Sequence, residues 1–353
     1  MKSAMKNNNP KYRLPAEWEY HEATWIGWPA NKQDWPGKFQ PIPWVYGEIV
    51  KYISRAEKVR IIVQSKEHQK KAETVLNFVG ADFSNIEFYK LATNRNWLRD
   101  AGPQFVKNKQ NETVLIKFKF NAWAKYDNYK LDEKIPGMIS EKLDLKLIKA
   151  ENKNHSVVLE GGSIDYNGFG TIVTTEECLM DNEVQVRNPG FTKKDYETVF
   201  GKYLGSKNII WLNKGIAGDD THGHVDDITR FVNRNTVVTA IETHPNDPNY
   251  IPLMENREIL ESAKLEDGSN LNIVDLPMPL PVIFKGERLP ASYANFYISN
   301  YTVLVPTFND PNDQIALGIL SELFQDRQVI GIHAVDLVWG LGTLHCLTHE
   351  QIY

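Results

Sequence analysis

The side chain of this sequence best suited to covalent chemistry is Cys346, which ends the stretch Gly340-Leu-Gly-Thr-Leu-His-Cys. A cysteine attacks as a thiolate, so it needs backbone freedom around it and a cation or hydrogen-bond donor that lowers its pKa. Gly340 and Gly342 are expected to supply the freedom. His345 is a poor partner, because neighbouring side chains of an extended chain point to opposite faces. Cys346 is therefore either a nucleophile with a distant partner or a small buried apolar residue.

Two carboxylates lie where a rigid backbone could present them to a ligand. Asp100 directly precedes Ala-Gly-Pro, and Glu160 follows three apolar residues and precedes two glycines. A Gly-Pro turn fixes the backbone, and a glycine pair leaves room for a ligand. We expect Glu160 to end an apolar strand. The alternatives are an ion pair of Asp100 with Arg99 and a turn cap formed by Glu160.

Residues 218–232 hold the densest group of polar side chains. His222, His224 and Asp226 alternate, so an extended segment would place all three on one face. Two imidazoles and a carboxylate could bind a divalent metal ion. The other interpretation is acid–base chemistry, in which one histidine titrates near neutral pH and Asp226 binds the substrate.

The distant cysteine favours acid–base chemistry. A zinc hydrolase needs no remote thiol, whereas a cysteine enzyme needs a histidine from elsewhere in the chain. Asp100, Glu160 and Asp226 would repel an anion, but carboxylates can hold a planar guanidinium through paired, charge-assisted hydrogen bonds. Such a clamp orients the guanidinium carbon for thiolate attack. A metal-dependent hydrolase using His222, His224 and Asp226 is the alternative from another class.

Alternating helices and strands must position these groups. Apolar residues recur at helical spacing from Val45 to Ala56, and the β-branched run Lys58–Val63 predicts a strand. A further strand is predicted from Ile86. By the same patterns, helices are predicted at 66–79, 132–143, 193–203, 252–263 and 314–324.

A repeat of threonine-led strands indicates how these elements are arranged. Thr113, Thr171, Thr236 and Thr302 each begin a short β-branched run, with about 60 residues from one to the next. Predicted helices lie between them. A period of this length predicts several similar modules around an axis. The alternative is an ordinary mixed α/β sheet.

Composition limits the class of protein. The 353 residues are 42% hydrophobic and 24% charged, and the net charge of -5 gives no electrostatic case for nucleic acid or an anionic membrane. Cys178 and Cys346 cannot form a disulfide framework and lack the Cys-x-x-Cys spacing of zinc sites. Because the sequence contains neither an apolar signal segment nor a run long enough to span a membrane, a cytoplasmic protein is expected.

The N-terminal region carries two expectations. Residues 1–13 are expected to be a disordered lead-in, and residues 14–353 a single catalytic domain. The tryptophan-rich stretch from Leu14 to Trp44 either forms an aromatic core or walls a site for a cation. A non-enzymatic cation-binding module built on that stretch is a third functional alternative.

Four motifs and two flanking stretches, in their order along the chain, carry a family resemblance. The motifs are Trp97-Leu-Arg-Asp100-x-Gly-Pro, Glu160-Gly-Gly, Gly223-His224-Val-Asp226-Asp and Leu344-His-Cys346, and the stretches are Leu14-Pro-Ala-Glu-Trp and Leu289–Tyr297. Together they resemble the agmatine deiminase and bacterial-type peptidylarginine deiminase family of guanidino-group-modifying enzymes. The resemblance covers nearly the whole chain.

The resemblance implies a five-bladed α/β propeller, the pentein fold, made of pseudo-fivefold ββαβ repeats. It implies no metal and no organic cofactor. The implied site residues are Cys346 as nucleophile, His224 as general acid and base, Asp100 and Asp226 as clamps on the guanidinium, Glu160 as support for His224 or the substrate, and Trp97 in the pocket wall. The expected partner is a small cationic guanidino compound, and a homodimer is a further expectation.

Two stretches beside Cys346 depart from the family's usual sequence. Gly-Gly-Gly-Asn is usual before Ile-His-Cys, where this chain has Gly340-Leu-Gly-Thr343; Thr-Gln-Gln is usual afterwards, where it has Thr348-His-Glu350. These departures leave the substrate open. Agmatine, giving N-carbamoylputrescine and ammonia, is expected first, and free or peptidyl arginine, giving citrulline, is the alternative.

Overall fold

Strands and helices alternate along residues 10–353, which the computed structural model of the chain describes. In that range the strands are β1 (Tyr12–Arg13), β2 (His21–Gly27), β3 (Lys58–Val63), β4 (Ile86–Lys90), β5 (Gln104–Asn108), β6 (Thr113–Lys117), β7 (Leu147–Lys149), β8 (Glu151–Asn152), β9 (His155–Ser156), β10 (Asp165–Tyr166), β11 (Thr171–Thr175), β12 (Asn208–Leu212), β13 (Thr229–Asn233), β14 (Thr236–Ile241), β15 (Asn272–Pro277), β16 (Ile283–Phe284), β17 (Glu287–Arg288), β18 (Tyr297–Ile298), β19 (Thr302–Thr307), β20 (Gln328–His333) and β21 (Thr348–Ile352). The α-helices are α1 (Ile42–Ile53), α2 (Lys66–Val79), α3 (Leu98–Ala101), α4 (Ile135–Leu143), α5 (Glu176–Met180), α6 (Lys193–Tyr203), α7 (Tyr250–Ser262), α8 (Asn312–Leu323) and α9 (Leu344–Leu347). Short 3₁₀ segments lie at Phe83–Asn85, Asp132–Lys134, Gly161–Ser163, Val225–Asp227 and Leu337–Gly340.

The larger sheets of residues 10–353 repeat one topology five times. In each, an antiparallel pair of strands is extended by a third strand that runs parallel to its neighbour, which requires a crossover and here takes it through helices. The sheets are β21-β2-β3-β4, β1-β5-β6-β7, β10-β11-β12, β13-β14-β15 and β18-β19-β20. This repetition confirms the predicted five-module α/β architecture.

The threonine-led repeat marks the central strands of four modules. Thr113, Thr171, Thr236 and Thr302 begin β6, β11, β14 and β19, as predicted. The corresponding strand of the fifth module, β2, begins at His21 and was missed because it lacks the leading threonine. The predicted helices 66–79 and 193–203 are present with the predicted ends, and the other predicted helices are present with shifted ends. For example, α1 begins at Ile42 beside prolines that are favourable at a helix N-terminus.

The fifth module joins the two ends of the described chain. Strand β2 pairs antiparallel with β21, with Trp25 opposite His349, and parallel with β3. All of β21 is buried. Because β21 follows α9 directly, this sheet anchors the segment that carries Cys346.

The N-terminal lead-in was predicted too long. Residues 1–9 lie outside the described residues, but Tyr12 and Arg13 form β1 and pair with Asn108 and Lys107. The boundary at residue 13 is therefore wrong. That residues 14–353 form a single catalytic domain stays a prediction.

The tryptophan-rich stretch is mainly core. Trp25, Trp28 and Trp35 are at most 1% exposed and belong to the largest hydrophobic cluster, whereas Trp44 is 44% exposed. The aromatic-core interpretation is thus confirmed for these three residues, and no cation site is built on them. Among the described residues, the helices are all too short or too polar to cross a membrane.

Candidate active site

The backbone before Cys346 turns sharply, and the glycines there make space. Leu341 has a positive φ of 66°, and the short helix α9 then carries the thiol. A Cβ added to Gly342 would lie 2.8 Å from Trp97 Cζ3 and 3.2 Å from Cys346 Sγ, and one on Gly340 would lie 2.5 Å from Trp35 Nε1. We expected these glycines to give the backbone freedom. The structure gives another reason for them: close packing leaves no room for a side chain at either position.

Asn295 holds the thiol. Its amide nitrogen donates to Cys346 Sγ at 3.1 Å, and its oxygen accepts from Thr343 Oγ1 at 2.8 Å. Since the oxygen is already engaged, the NH₂ group is fixed towards the sulfur. Asn295 belongs to the stretch Leu289–Tyr297 that carries part of the family resemblance, but no local pattern there predicts its contact with the thiol.

His224 lies in a buried position between carboxylates. Its Nδ1 is 3.9 Å from Asp100 Oδ1 and its Nε2 is 3.9 Å from Glu160 Oε2. Within residues 10–353 neither ring nitrogen has a hydrogen-bond partner. Burial lowers the pKa of His224, but Asp100, Cys178 and Glu160 together raise it well above its ordinary value. An imidazolium with unpaired donors in a buried site is suited to proton transfer.

Hydrogen bonds from neighbouring residues hold two of the carboxylates, Asp100 at both of its oxygens and Glu160 at one. Asp100 accepts from Trp123 Nε1 at 2.8 Å and from the Gly162 backbone at 2.9 Å, and burial raises its pKa. Glu160 accepts from Arg187 Nε at 3.2 Å. Burial opposes ionisation of Glu160, but Arg187 and His224 lower its pKa to about 2.

The third carboxylate, Asp226, contacts both the thiol and a neighbouring histidine. Its Oδ2 lies 2.7 Å from His345 Nδ1 and 3.7 Å from Cys346 Sγ. Its other oxygen, Oδ1, is buried and has no hydrogen-bond partner among the described residues. Asp226 thus keeps one oxygen free for a ligand.

Gly162 marks the point where these groups converge. A Cβ added there would lie 2.6 Å from His224 Nδ1, 2.9 Å from Asp226 Oδ2 and 3.1 Å from Asp100 Oδ1. The structure therefore brings together the predicted residues His224, Asp226 and Asp100, and the Asp226 contact links them to Cys346.

Two predictions about this region are wrong. The segment from His222 to Asp226 is not extended, because a 3₁₀ turn spans Val225–Asp227 and His222 has a positive φ of 64°. His222 instead pairs with Asp181 at 2.8 Å, so it does not join His224 and Asp226 in one ligand set. Glu160 does not end a strand either; it precedes the 3₁₀ turn Gly161–Ser163.

His345 has a structural position that the sequence did not reveal. Its Nδ1 faces Asp226, as described, and its Nε2 lies 2.8 Å from Glu17 Oε2. Glu17 Oε2 also accepts from Arg230 at 2.7 Å. As expected, His345 does not serve as the thiol's partner. It instead fixes the carboxylate of Asp226 from the side opposite the free oxygen.

The departures from the family sequence have structural roles. Leu341 lines the cavity that reaches the Cys346 thiol, and the Thr343 hydroxyl donates to the Asn295 side-chain oxygen. His349 bonds to the carbonyl of Pro103 at 2.7 Å, and Glu350 pairs with Arg99 at 2.7 Å. The contacts of Thr343, His349 and Glu350 lie within the fold and do not involve Asp100, Glu160 or Asp226.

A cavity of about 120 Å³ reaches the thiol. Its lining residues are Gln33, Asp34, Arg95, Trp97, Asp100, Trp123, Tyr126, Asp220, Thr221, Gly340, Leu341, Gly342 and Cys346. Trp97 therefore lies in the pocket wall, as predicted. Aromatic faces and three carboxylates suit a flat, positively charged ligand.

The thiol of the free protein should react slowly at neutral pH. Burial raises the pKa of Cys346 well above its ordinary value, and the carboxylates, Asp226 foremost, raise it further. The thiolate fraction at neutral pH is therefore below that of an ordinary thiol. We expect alkylation of Cys346 by iodoacetamide, followed by peptide mapping, to keep accelerating with pH above about 8.5, the ordinary pKa of a thiol. Alkylation that is already maximal at neutral pH would contradict this.

Comparison with known proteins agrees with this geometry. The model of the Porphyromonas-type peptidyl-arginine deiminase family matches residues 13–351. An agmatine deiminase of Ectopseudomonas mendocina is 31% identical, with 96% of this chain and 95% of the relative covered.

Solved structures show the same similarity. An agmatine deiminase of Enterococcus faecalis superposes with a TM-score of 0.88 at 28% identity, covering 97% of this chain and 96% of that one. An agmatine deiminase of C. jejuni with substrate bound gives a TM-score of 0.86 at 29% identity, covering 99% of both chains. The chain belongs to the agmatine deiminase and Porphyromonas-type peptidyl-arginine deiminase family, the one that its motifs resemble.

Proposed function

We propose that this protein hydrolyses the guanidino group of agmatine to N-carbamoylputrescine and ammonia. The observation that carries the proposal is the convergence of Asp100, Asp226 and His224 beside the Cys346 thiol. The agmatine deiminases to which the chain is similar support the choice of substrate. The site requires neither a metal ion nor an organic cofactor for this chemistry.

In the first step the guanidinium lies between Asp100 and Asp226. Carboxylates on both sides accept its N–H groups and compensate its charge. The Cys346 sulfur attacks the guanidinium carbon, forming a C–S bond, and His224 donates a proton to the nitrogen that leaves as ammonia. The product of this step is an S-alkylthiouronium attached to the enzyme.

In the second step water completes the reaction. His224, now neutral, takes a proton from a water molecule that attacks the same carbon. The tetrahedral adduct passes its hydroxyl proton to the departing sulfur as the C–S bond breaks, so Cys346 leaves as a neutral thiol and the carbon becomes that of a urea. Glu160 and Arg187 hold His224 in place through their own pair.

Substrate charge helps to activate the thiol. In the free protein burial, and then the carboxylates around Cys346, disfavour a thiolate and raise the pKa of the thiol. A guanidinium bound between the same carboxylates cancels their charge and adds an attractive one, so the pKa of the thiol falls when substrate binds. The thiol proton passes to solvent water at that point, so deprotonation is coupled to the arrival of the correct cation.

The acidic cavity favours agmatine over arginine. Arg95 is the sole cation among the lining residues of the described chain, and it is paired with Asp34 at 2.8 Å and lies 3.7 Å over the Tyr126 ring. It is therefore occupied and poorly placed to receive an α-carboxylate. Burial raises the pKa of Asp34 to about 7. Asp220 accepts from the Tyr126 hydroxyl at 2.7 Å and pairs with the partly exposed Lys125, and we assign it as the partner that the distal ammonium of agmatine joins.

An ammonia-release assay tests this choice. We expect kcat/KM for agmatine to exceed that for L-arginine and for arginyl peptides by at least about 100-fold, since an α-carboxylate would lie among the cavity's carboxylates and find no unpaired lining cation to receive it. Asp220→Asn should lower kcat/KM for agmatine by at least about tenfold. The matched control is n-butylguanidine, which lacks the ammonium and should be hydrolysed equally well by both proteins. Preference for arginine, or equal losses on both guanidines, would contradict the assignment.

We further propose that the protein acts in the cytoplasm on this small cation. The net charge of -5 and the absence of a membrane-spanning helix among the described residues are compatible with that location. A homodimer stays a prediction, which sedimentation of the purified protein would test.

A further inference from the structure

Cys178, the second cysteine, lies directly behind the catalytic histidine. It is carried by the short helix α5, is 2% exposed, and has no disulfide partner. Ligand atoms of Glu160, Cys178 and His224 all lie within 4.8 Å of one another. The sequence offers no pattern for this group, since its members come from three separate segments.

Two atoms of this cluster are buried without a partner. Glu160 uses Oε1 for Arg187, while Oε2 and His224 Nε2 have no hydrogen bond within residues 10–353. These two atoms are 3.9 Å apart. The ligands of a tetrahedral zinc ion, at about 2.0 to 2.3 Å from the metal, lie about 3.4 Å from each other. A contraction of at most about 1.4 Å between any two of the three ligand atoms would therefore complete a three-ligand site.

We propose that Glu160, Cys178 and His224 form a binding site for a thiophilic divalent cation such as Zn²⁺, and that its occupation inhibits the enzyme. Imidazole nitrogen, thiolate sulfur and carboxylate oxygen are the three ligand types that zinc prefers. The fourth position is left to water.

The charge balance of the cluster permits this exchange. Without metal, the Glu160 carboxylate lies beside the imidazolium of His224 that the proposed mechanism uses as an acid. With metal, the imidazole and the thiol each lose a proton, and a dication takes the place of the two protons. The buried net charge is therefore unchanged, and the neighbouring Arg187 meets the same total charge in both states.

Inhibition follows from the position of the metal on His224 and rests on the proposed function. A cation on Nε2 removes the proton of the imidazolium, so His224 can no longer protonate the departing ammonia. It also draws Glu160 towards the ion and away from its supporting role. Entry from the cavity past Asp100 requires motion of buried groups, so we expect inhibition to develop slowly.

Cobalt binding tests the site without reference to turnover. In a Cys346→Ala protein, which removes the other thiol, added Co²⁺ should give a thiolate-to-cobalt charge-transfer absorption at one equivalent. The further change Cys178→Ala should abolish this absorption; if thermal unfolding shows that the alanine variant is unstable, Cys178→Ser takes its place. The matched control is His222→Ala in the same Cys346→Ala protein, because His222 and Asp181 form an unrelated imidazole–carboxylate pair. The cobalt absorption of this control should persist.

Zinc inhibition of the native enzyme supplies the second readout. With each protein normalised to its own metal-free rate, Cys178→Ala should require at least about tenfold more Zn²⁺ for half-inhibition. Absence of the cobalt absorption in Cys346→Ala, or its persistence when Cys178 is also removed, would overturn the proposal. Since cobalt binding does not depend on ammonia release, failure of the proposed function would be recognised separately.

Discussion

Replacing Cys346 with alanine is expected to abolish ammonia release from agmatine, by at least about 10⁴-fold in kcat. The sulfur forms the bond to the guanidinium carbon. Among the described residues, Cys346 is the cysteine that both lines the cavity and contacts Asp226. Removal of a nucleophile that acts in concert with its acid–base partner costs nearly the full catalytic effect.

Binding should survive the same change. The guanidinium is held by Asp100 and Asp226, and alanine leaves both in place. Calorimetric titration of Cys346→Ala with agmatine should give a dissociation constant within about tenfold of the native KM, because both carboxylates that hold the guanidinium are unchanged. A variant that releases ammonia at more than about a hundredth of the native rate would contradict the assignment of the nucleophile.

Replacing His224 with asparagine is expected to lower kcat by at least about 10³-fold with a much smaller change in KM. Asparagine retains a polar group between Asp100 and Glu160 but cannot carry a proton to the leaving ammonia or take one from water. Because both steps need this proton transfer, neither formation nor hydrolysis of the thiouronium proceeds at a useful rate.

His222→Ala is the matched control for His224. It removes an imidazole two residues away, which pairs with Asp181 and is partly exposed. We expect its kcat to stay within about threefold of the native value, as for most surface substitutions. If both histidine variants lost activity equally, or if His224→Asn changed only KM, the acid–base role of His224 would be refuted.

The fold was predictable where a local pattern repeats. Threonine-led strands at residues 113, 171, 236 and 302 marked four of the modules because central strands bury β-branched residues on both sides. The module that joins the chain ends was not predictable in this way. Its pairing of β2 with β21 links residues more than 300 positions apart, and no local pattern records such a contact.

The site was predictable in its residues but not in its local geometry. Alternation of His222, His224 and Asp226 suggested one face of a strand, whereas the left-handed backbone at His222 and the turn after His224 separate the two imidazoles. Side-chain alternation holds only while the backbone stays extended.

The residues that support Cys346 and His224 could not be predicted, for a different reason. Asn295 contacts Cys346, and Cys178 lies beside His224, from remote segments. Cys178 carries no motif, and the stretch Leu289–Tyr297 that contains Asn295 holds no pattern that links it to the thiol. Their roles follow from which buried atoms they satisfy or leave unsatisfied, and that property exists only in three dimensions. Residues of this kind are the usual omission when a site is inferred from motifs.

The central claim is a covalent bond between Cys346 and the substrate carbon, and mass spectrometry of acid-quenched enzyme during turnover of agmatine tests it most directly. We predict an adduct with the mass of agmatine minus ammonia, located on the peptide that contains Cys346 and absent from Cys346→Ala. Full-rate turnover with no adduct on that peptide, or the same adduct on another residue, would contradict the account.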